Sequence, residues 1–183
     1  KLTAYENIRH FAVAAGVLRT TPEVVALVRA DGLPKADVLS TARIAGIGGA
    51  KKTSELIPLC HPLPLTSVSI SFDLSDDSIA IEATAGTTGR TGVEMEALTA
   101  VAVAGLTLHD MVKAVDPAAV LDGIRLLRKE GGKRGVWTRD EPALPPAPLG
   151  DRTAVVVVAS TAGAAGTRED TTGRSEEHTS ELQ

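Results

Sequence analysis

The chain has 183 residues, 43% of them hydrophobic, enough for one ordinary domain of about 100–200 residues with a further segment after it. Its formal net charge is -4 from 19 bases and 23 acids, and only 2% of residues are aromatic, so it has neither the basic field nor the stacking surface of a nucleic-acid binder. The single cysteine, Cys60, rules out an internal disulfide, and no run of about 18 apolar residues or signal-peptide layout stands out, which points to a reduced, cytoplasmic setting without a membrane.

The chain opens on Lys1 rather than methionine, so a truncated start is expected. The first clear element signal is Thr21-Pro22-Glu23, an N-cap hydroxyl, a proline for the first turn and an acid suited to the helix dipole. That helix should run to about Ala30 and stop at Asp31-Gly32. A second is expected from Ala36 to about Ala50, with Leu39, Ala42 and Ile47 as apolar positions; Gly46, Gly48 and Gly49 weaken its end but permit close backbone packing. Pro58, Pro62 and Pro64 then exclude continuous helix and should hold Leu59-Cys60-His61 in extended backbone.

Val68, Ile70, Phe72 and Leu74 alternate with Ser67, Ser69, Ser71 and Asp73, the period of a half-buried strand. After a turn at Ser75-Asp76-Asp77-Ser78 the alternation resumes at Ile79, Ile81 and Ala83, predicting an antiparallel hairpin. A long helix from about Gly92 to Val115 is too apolar for one solvated face, so burial on several sides, by neighbouring subunits, is expected. Beyond Asp116-Pro117, Ile124 to Leu127 and Val136-Trp137-Thr138 read as strands separated by a glycine-rich loop, giving an α+β fold. The domain should finish near Asp140, and residues 141–150, with Pro142, Pro145, Pro146 and Pro148, should form a stiff linker.

Asp110 and Lys113 are three residues apart on the long helix, so they share a face, where each tunes the other's proton affinity. That suits paired acid and base roles; spacing alone favours an ordinary surface ion pair, and the apolar surroundings argue against that. Glu96 precedes Asp110 by 14 positions, roughly 21 Å of ideal helix, so the two cannot grip one small group within a chain. Either they handle opposite ends of an extended ligand or they meet across a subunit interface, the version favoured here. Cys60-His61-Pro62 fixes a histidine between prolines, fit for phosphate binding or proton movement. The scattered histidines and one cysteine lack zinc-site spacing, so no metal site is assigned. Cations recur in loops at Arg19, Lys35, Arg43, Lys51, Lys52 and Lys133, the last within Gly-Gly-Lys-Arg-Gly, and suit phosphate. Lys35 and Lys51 are also candidates for proton exchange.

Taken in order, Thr41-Ala42-Arg43-Ile44-Ala45-Gly46-Ile47, Lys51-Lys52-Thr53, Leu56-Ile57-Pro58-Leu59-Cys60-His61-Pro62-Leu63, Thr91-Gly92-Val93-Glu94-Met95-Glu96-Ala97-Leu98-Thr99, Asp110-Met111-Val112-Lys113-Ala114 and Gly131-Gly132-Lys133 resemble the cyclic pyranopterin monophosphate synthase family of molybdenum cofactor biosynthesis, over about residues 1–140. The resemblance implies a ferredoxin-like antiparallel sheet packed with helices, assembled as a homohexamer, a trimer of dimers, with active sites between subunits. It implies a lyase that converts a cyclised dihydro-GTP intermediate to cyclic pyranopterin monophosphate and pyrophosphate. No redox cofactor is implied, although a divalent cation such as Mg²⁺ would suit the triphosphate. By position, Asp110, Lys113 and Lys35 look like the central acid–base residues. Leu59, Cys60, His61, Met95 and Glu96 look like substrate contacts, followed by Glu94, Lys51, Lys133 and Arg19. One departure is His109, where the family often has tyrosine.

Residues 151–173, with a Val155-Val156-Val157-Val158 strand pattern, resemble the truncated start of a molybdopterin-binding domain from the same pathway. Residues 174–183 resemble translated sequencing-adapter DNA and stand outside the functional reading. The competing expectation is a non-catalytic nucleotide-binding or scaffold fragment, which would bind ligand without turnover.

Overall fold

The computed structural model describes residues 8–35, 37–132 and 135–139. The expected linker, second-domain start and tail lie outside these residues, as does Lys133. In chain order the elements are β1 (Ile8–Arg19), α1 (Pro22–Arg29), α2 (Val38–Lys51), the single turn α3 (Thr53–Leu56), β2 (Leu65–Leu74), β3 (Ser78–Gly89), α4 (Glu94–Val112), β4 (Val120–Glu130) and the short β5 (Trp137–Thr138).

The sheet runs β2-β3-β1-β4-β5 with every neighbouring pair antiparallel. With α2 and α4 as the crossovers, the succession β1–α2–β2–β3–α4–β4 is the ferredoxin-like split arrangement, extended by β5. Thr21 caps α1 by accepting the Val24 amide at 3.3 Å, as its hydroxyl and the following proline predict. The β2–β3 hairpin closes where Ser75 donates its amide to the Ser78 carbonyl at 2.9 Å, and Ile70 pairs with Ala83 and Phe72 with Ile81 on its buried face.

β1 is a central strand without a polar–apolar alternation to announce it. Ala12, Ala14 and Leu18 are fully buried on one face, while Phe11, Val13, Ala15 and Val17 are half-buried on the other. β4 extends beyond the expected Ile124 to Leu127 on both sides. Its neighbours are β1 and the two-residue β5, so a strand this close to the edge accommodates Arg125, Arg128, Lys129 and Glu130.

α4 packs on β1, β3 and β4, while α2 packs on α4 and β2. By length and mean hydropathy α4 passes for a membrane span, but 56% of that window is buried inside the domain. The α2–α4 contact requires small residues. A Cβ on Gly46 would meet the Ile70 side chain and stand 2.8 Å from the Ala100 carbonyl oxygen, which is backbone and cannot turn aside. Gly46→Ala therefore tests the close approach. Alanine improves helix propensity by about 1 kcal/mol, but overpacking costs about 1–3 kcal/mol, so a net loss is expected. Urea unfolding should show a lower midpoint, and a variant as stable as the parent would contradict this packing.

Candidate active site

The first cluster is built by the end of α4 and the segment between α1 and α2. Asp110 lies in the last turn of α4, and Lys113 follows at its cap, so helical spacing brings the Lys113 ammonium to Asp110 Oδ1 at 2.7 Å. Lys35 arrives from a segment distant in sequence, donating to Asp110 Oδ2 at 2.5 Å and to the Asp110 carbonyl oxygen at 3.3 Å. One carboxylate thus bridges two ammonium groups. The hydrogen bonds from Lys113, then Lys35, and their charges hold the Asp110 carboxyl down to about 2. At neutral pH Asp110 is a fixed anion and a poor proton acceptor, with a lysine donor on each of its carboxylate oxygens. All three side chains are about half exposed, at 53%, 52% and 56%, so a ligand can reach them.

The second cluster sits at the other end of α4. A cleft of about 280 Å³ brings together six residues singled out in the sequence: Leu59, Cys60, His61, Glu94, Met95 and Glu96. It adds Leu63, Thr91 and Gly92. The prolines hold residues 61–64 outside helix and strand as expected, but Leu59 lies in a turn that Cys60 closes by donating its amide to the Ile57 carbonyl at 3.0 Å. Leu59 is 91% exposed and Met95 38%, so apolar surface borders the carboxylates.

Those two carboxylates, two residues apart, are driven in opposite directions. Burial raises Glu94, yet the Lys129 hydrogen bond and charge, with a backbone hydrogen bond, outweigh it and leave the group below its ordinary value. The Lys129 ammonium meets Glu94 Oε1 at 2.7 Å. Burial raises Glu96 as well, the charge of Glu94 adds to the effect, and a backbone hydrogen bond offsets only part of it. The two neighbouring carboxyls are thus pushed apart in proton affinity, Glu94 toward the charged form and Glu96 toward the neutral one.

Lys129 was not legible from sequence, since it reaches Glu94 from β4 through strand register rather than a local motif. His10 is a second addition. It is buried at 4% exposure, with Nε2 3.1 Å from the Gly89 carbonyl oxygen. Gly131 lies over it with φ 98°, where a Cβ would stand 2.6 Å from the Arg9 carbonyl oxygen and 2.8 Å from His10 Nδ1. The glycine that leads toward Lys133 is thus required by both its backbone and its neighbour.

Two other sequence candidates join neither cluster. Lys51 is exposed at the last residue of α2, and Arg19 ends β1 with its guanidinium 3.4 Å from Asp122. Within one chain the two clusters stand at opposite ends of the nineteen-residue α4. Among the described residues, no three His, Cys, Asp or Glu side chains group so as to hold a metal ion.

Fold and sites together define an α+β domain with a pair of lysine ammonium groups at one end of its core helix and a carboxylate-lined cleft at the other. Residues 2–132 match the MoaC family, and the chain belongs to it. Cyclic pyranopterin monophosphate synthase 2 of Mycobacterium tuberculosis is 60% identical over 138 residues, covering 75% of this chain and 83% of the relative. The cyclic pyranopterin monophosphate synthase of Streptomyces coelicolor is 58% identical over 128 residues, covering 70% and 75%. That of Corynebacterium glutamicum is 57% identical over 137 residues, covering 75% and 88%.

The raised Glu96 carboxyl links stability to pH. Because its folded value lies above the ordinary 4.5, its contribution is fully present below 4.5 and lost as pH rises through the folded value. Glu96→Gln removes this dependence. Chemical unfolding between about pH 4 and pH 8 should show the parent losing stability relative to the variant as pH climbs, and parallel curves would reject the assignment.

Proposed function

We propose that this chain performs the lyase step of molybdenum cofactor biosynthesis that turns a cyclised dihydro-GTP intermediate into cyclic pyranopterin monophosphate and pyrophosphate. The observation that carries the reading is the Lys35–Asp110–Lys113 bridge at the end of an otherwise apolar helix, in a member of the MoaC family. Remodelling a purine-derived ring calls for several proton transfers, which ammonium groups beside a fixed carboxylate can supply. Closing a cyclic phosphate forms one P–O bond and breaks another, and nearby cations stabilise the departing pyrophosphate. In this scheme Lys35 and Lys113 hold and deliver protons, and Asp110 orients both. Leu59, Cys60, His61, Glu94, Met95 and Glu96 contact the substrate, with Lys51, Lys133 and Arg19 as further contributors of charge.

The reading extends to assembly. The 14 residues from Glu96 to Asp110 correspond to roughly 21 Å of helix, too far for one compact site, so the substrate lies between the Asp110 end of one subunit and the cleft of another. A homohexamer, a trimer of dimers, supplies such interfaces. The substrate is a small molecule of the cytoplasm, and a divalent cation such as Mg²⁺ would accompany its triphosphate. Residues 151–173 fit the start of a molybdopterin-binding domain from the same pathway, a pairing in keeping with this function.

Incubating the purified full chain with the cyclised intermediate should release pyrophosphate from the hexamer-sized fraction. Asp110→Asn and Lys113→Ala should each stay folded and lose about a hundredfold to ten-thousandfold in turnover. An assembled wild-type protein that binds the intermediate and forms no product would overturn the proposal in favour of a binding module. Mixed assemblies of the Asp110→Asn and Glu96→Ala chains should regain part of the activity, and none would return if each site belonged to one subunit.

A further inference from the structure

α1 ends in a Schellman turn, in which the Asp31 amide donates to the Val28 carbonyl at 3.3 Å and the Gly32 amide to that of Leu27 at 2.9 Å. The residue that closes such a turn is left-handed, and Asp31 is so, with φ 52°. Glycine is the usual occupant, because a Cβ in this conformation crowds the following carbonyl oxygen. In this chain glycine stands one position later, at Gly32, and an aspartate holds the unfavourable place.

Its carboxylate is in use. Asp31 Oδ1 accepts the Asp37 amide at 2.9 Å, and Asp37 is itself left-handed, with φ 58°, at the residue that begins α2. This one bond spans residues 31–37 and ties the end of α1 to the start of α2. Inside that span Leu33 is buried at 5% exposure and Pro34 has a fixed φ. Lys35 follows immediately, with its ammonium on Asp110.

We infer that Asp31 is a positioning residue for the proposed reaction, its carboxylate tying Asp37 to the end of α1 and so holding Lys35 on Asp110. The inference rests on reading Lys35, Asp110 and Lys113 as the reacting centre. Asp31 touches no substrate and acts through Lys35. A lysine on an open loop would have to be ordered by each arriving substrate, whereas the closed loop has already restricted it.

Three variants of the full chain separate the carboxylate's role from loop stiffness. Asp31→Gly keeps the left-handed turn, which glycine favours, and removes the acceptor; Asp31→Asn keeps both. Asp37→Gly leaves the donor amide in place and adds the same backbone freedom. Pyrophosphate release should show kcat falling about tenfold to hundredfold in Asp31→Gly with KM moving less, and the other two staying within about threefold of wild type. NMR titration of the Asp110 carboxyl provides a readout independent of turnover: its midpoint should rise in Asp31→Gly, where Lys35 is no longer held, and stay in place in the other two. Thermal unfolding should confirm that Asp31→Gly is folded. An unmoved Asp110 midpoint in that folded variant, or Asp37→Gly as slow as Asp31→Gly, would overturn the inference. Loss of the loop closure in the titration with no product from wild type would count against the proposed reaction and in favour of the closure.

Discussion

Ten of the nineteen residues of α4 are buried, and the domain depends on that helix being core and site scaffold at once. Its middle, through Ala97, Ala100, Val101, Ala104 and Leu108, is sealed against the sheet and α2. Small residues on both sides bring the backbones close, so the position of the helix is set by contacts that leave little room for adjustment. Side chains carried at its two ends inherit that fixity. Asp110 and Glu96 therefore hold a set separation, and any ligand that uses both must accept it or be shared between copies.

The charges at the two ends follow different physical rules. Glu94 and Glu96 stand in the first turn, where the helix dipole favours anions. Burial opposes both, and only Glu94 has a lysine to compensate, so the two carboxyls part. Asp110 is placed against the dipole, in the last turn, and two lysines make up for that placement. Because the site is half exposed, the pairing contributes little to stability. Its consequence is chemical: the carboxylate stays ionised and both ammonium groups are held within hydrogen-bond distance of it.

Where local periodicity governed the backbone, the fold was legible. The capped start of α1, the alternating β2–β3 hairpin and the length of α4 all follow from residues near in sequence. β1 was not, because a strand paired on both sides and packed beneath a helix needs alanine and glycine on one face and apolar residues on the other, which erases the alternation. The same division holds at the site. Asp110 and Lys113 are visible as an i, i+3 pair, and the prolines around His61 mark a constrained segment. Lys35 joins them from 75 residues away, and Lys129 finds Glu94 from 35 residues away, so the residues themselves contain no sign of either partner. Lys35 stood out only as a loop cation and proton-exchange candidate, and its grouping with Asp110 came from the family resemblance alone.

At or near the two clusters, a glutamate is almost fully buried, an aspartate stands at the negative end of a helix, and an aspartate sits where a helix terminus wants glycine, all against local preference. In each case the neighbourhood contains a reason that local rules omit. Glu96 lines the cleft, Asp110 bridges two lysines, and Asp31 accepts the amide that closes the Lys35 segment. The apolar centre, through Ala97, Val101, Ala104, Leu108, Ile79 and Ile81, shows no such conflict. Local rules fail in folded proteins mainly where function imposes a second demand. These three exceptions all belong to or support the two ends of α4, so that second demand falls on the helix termini.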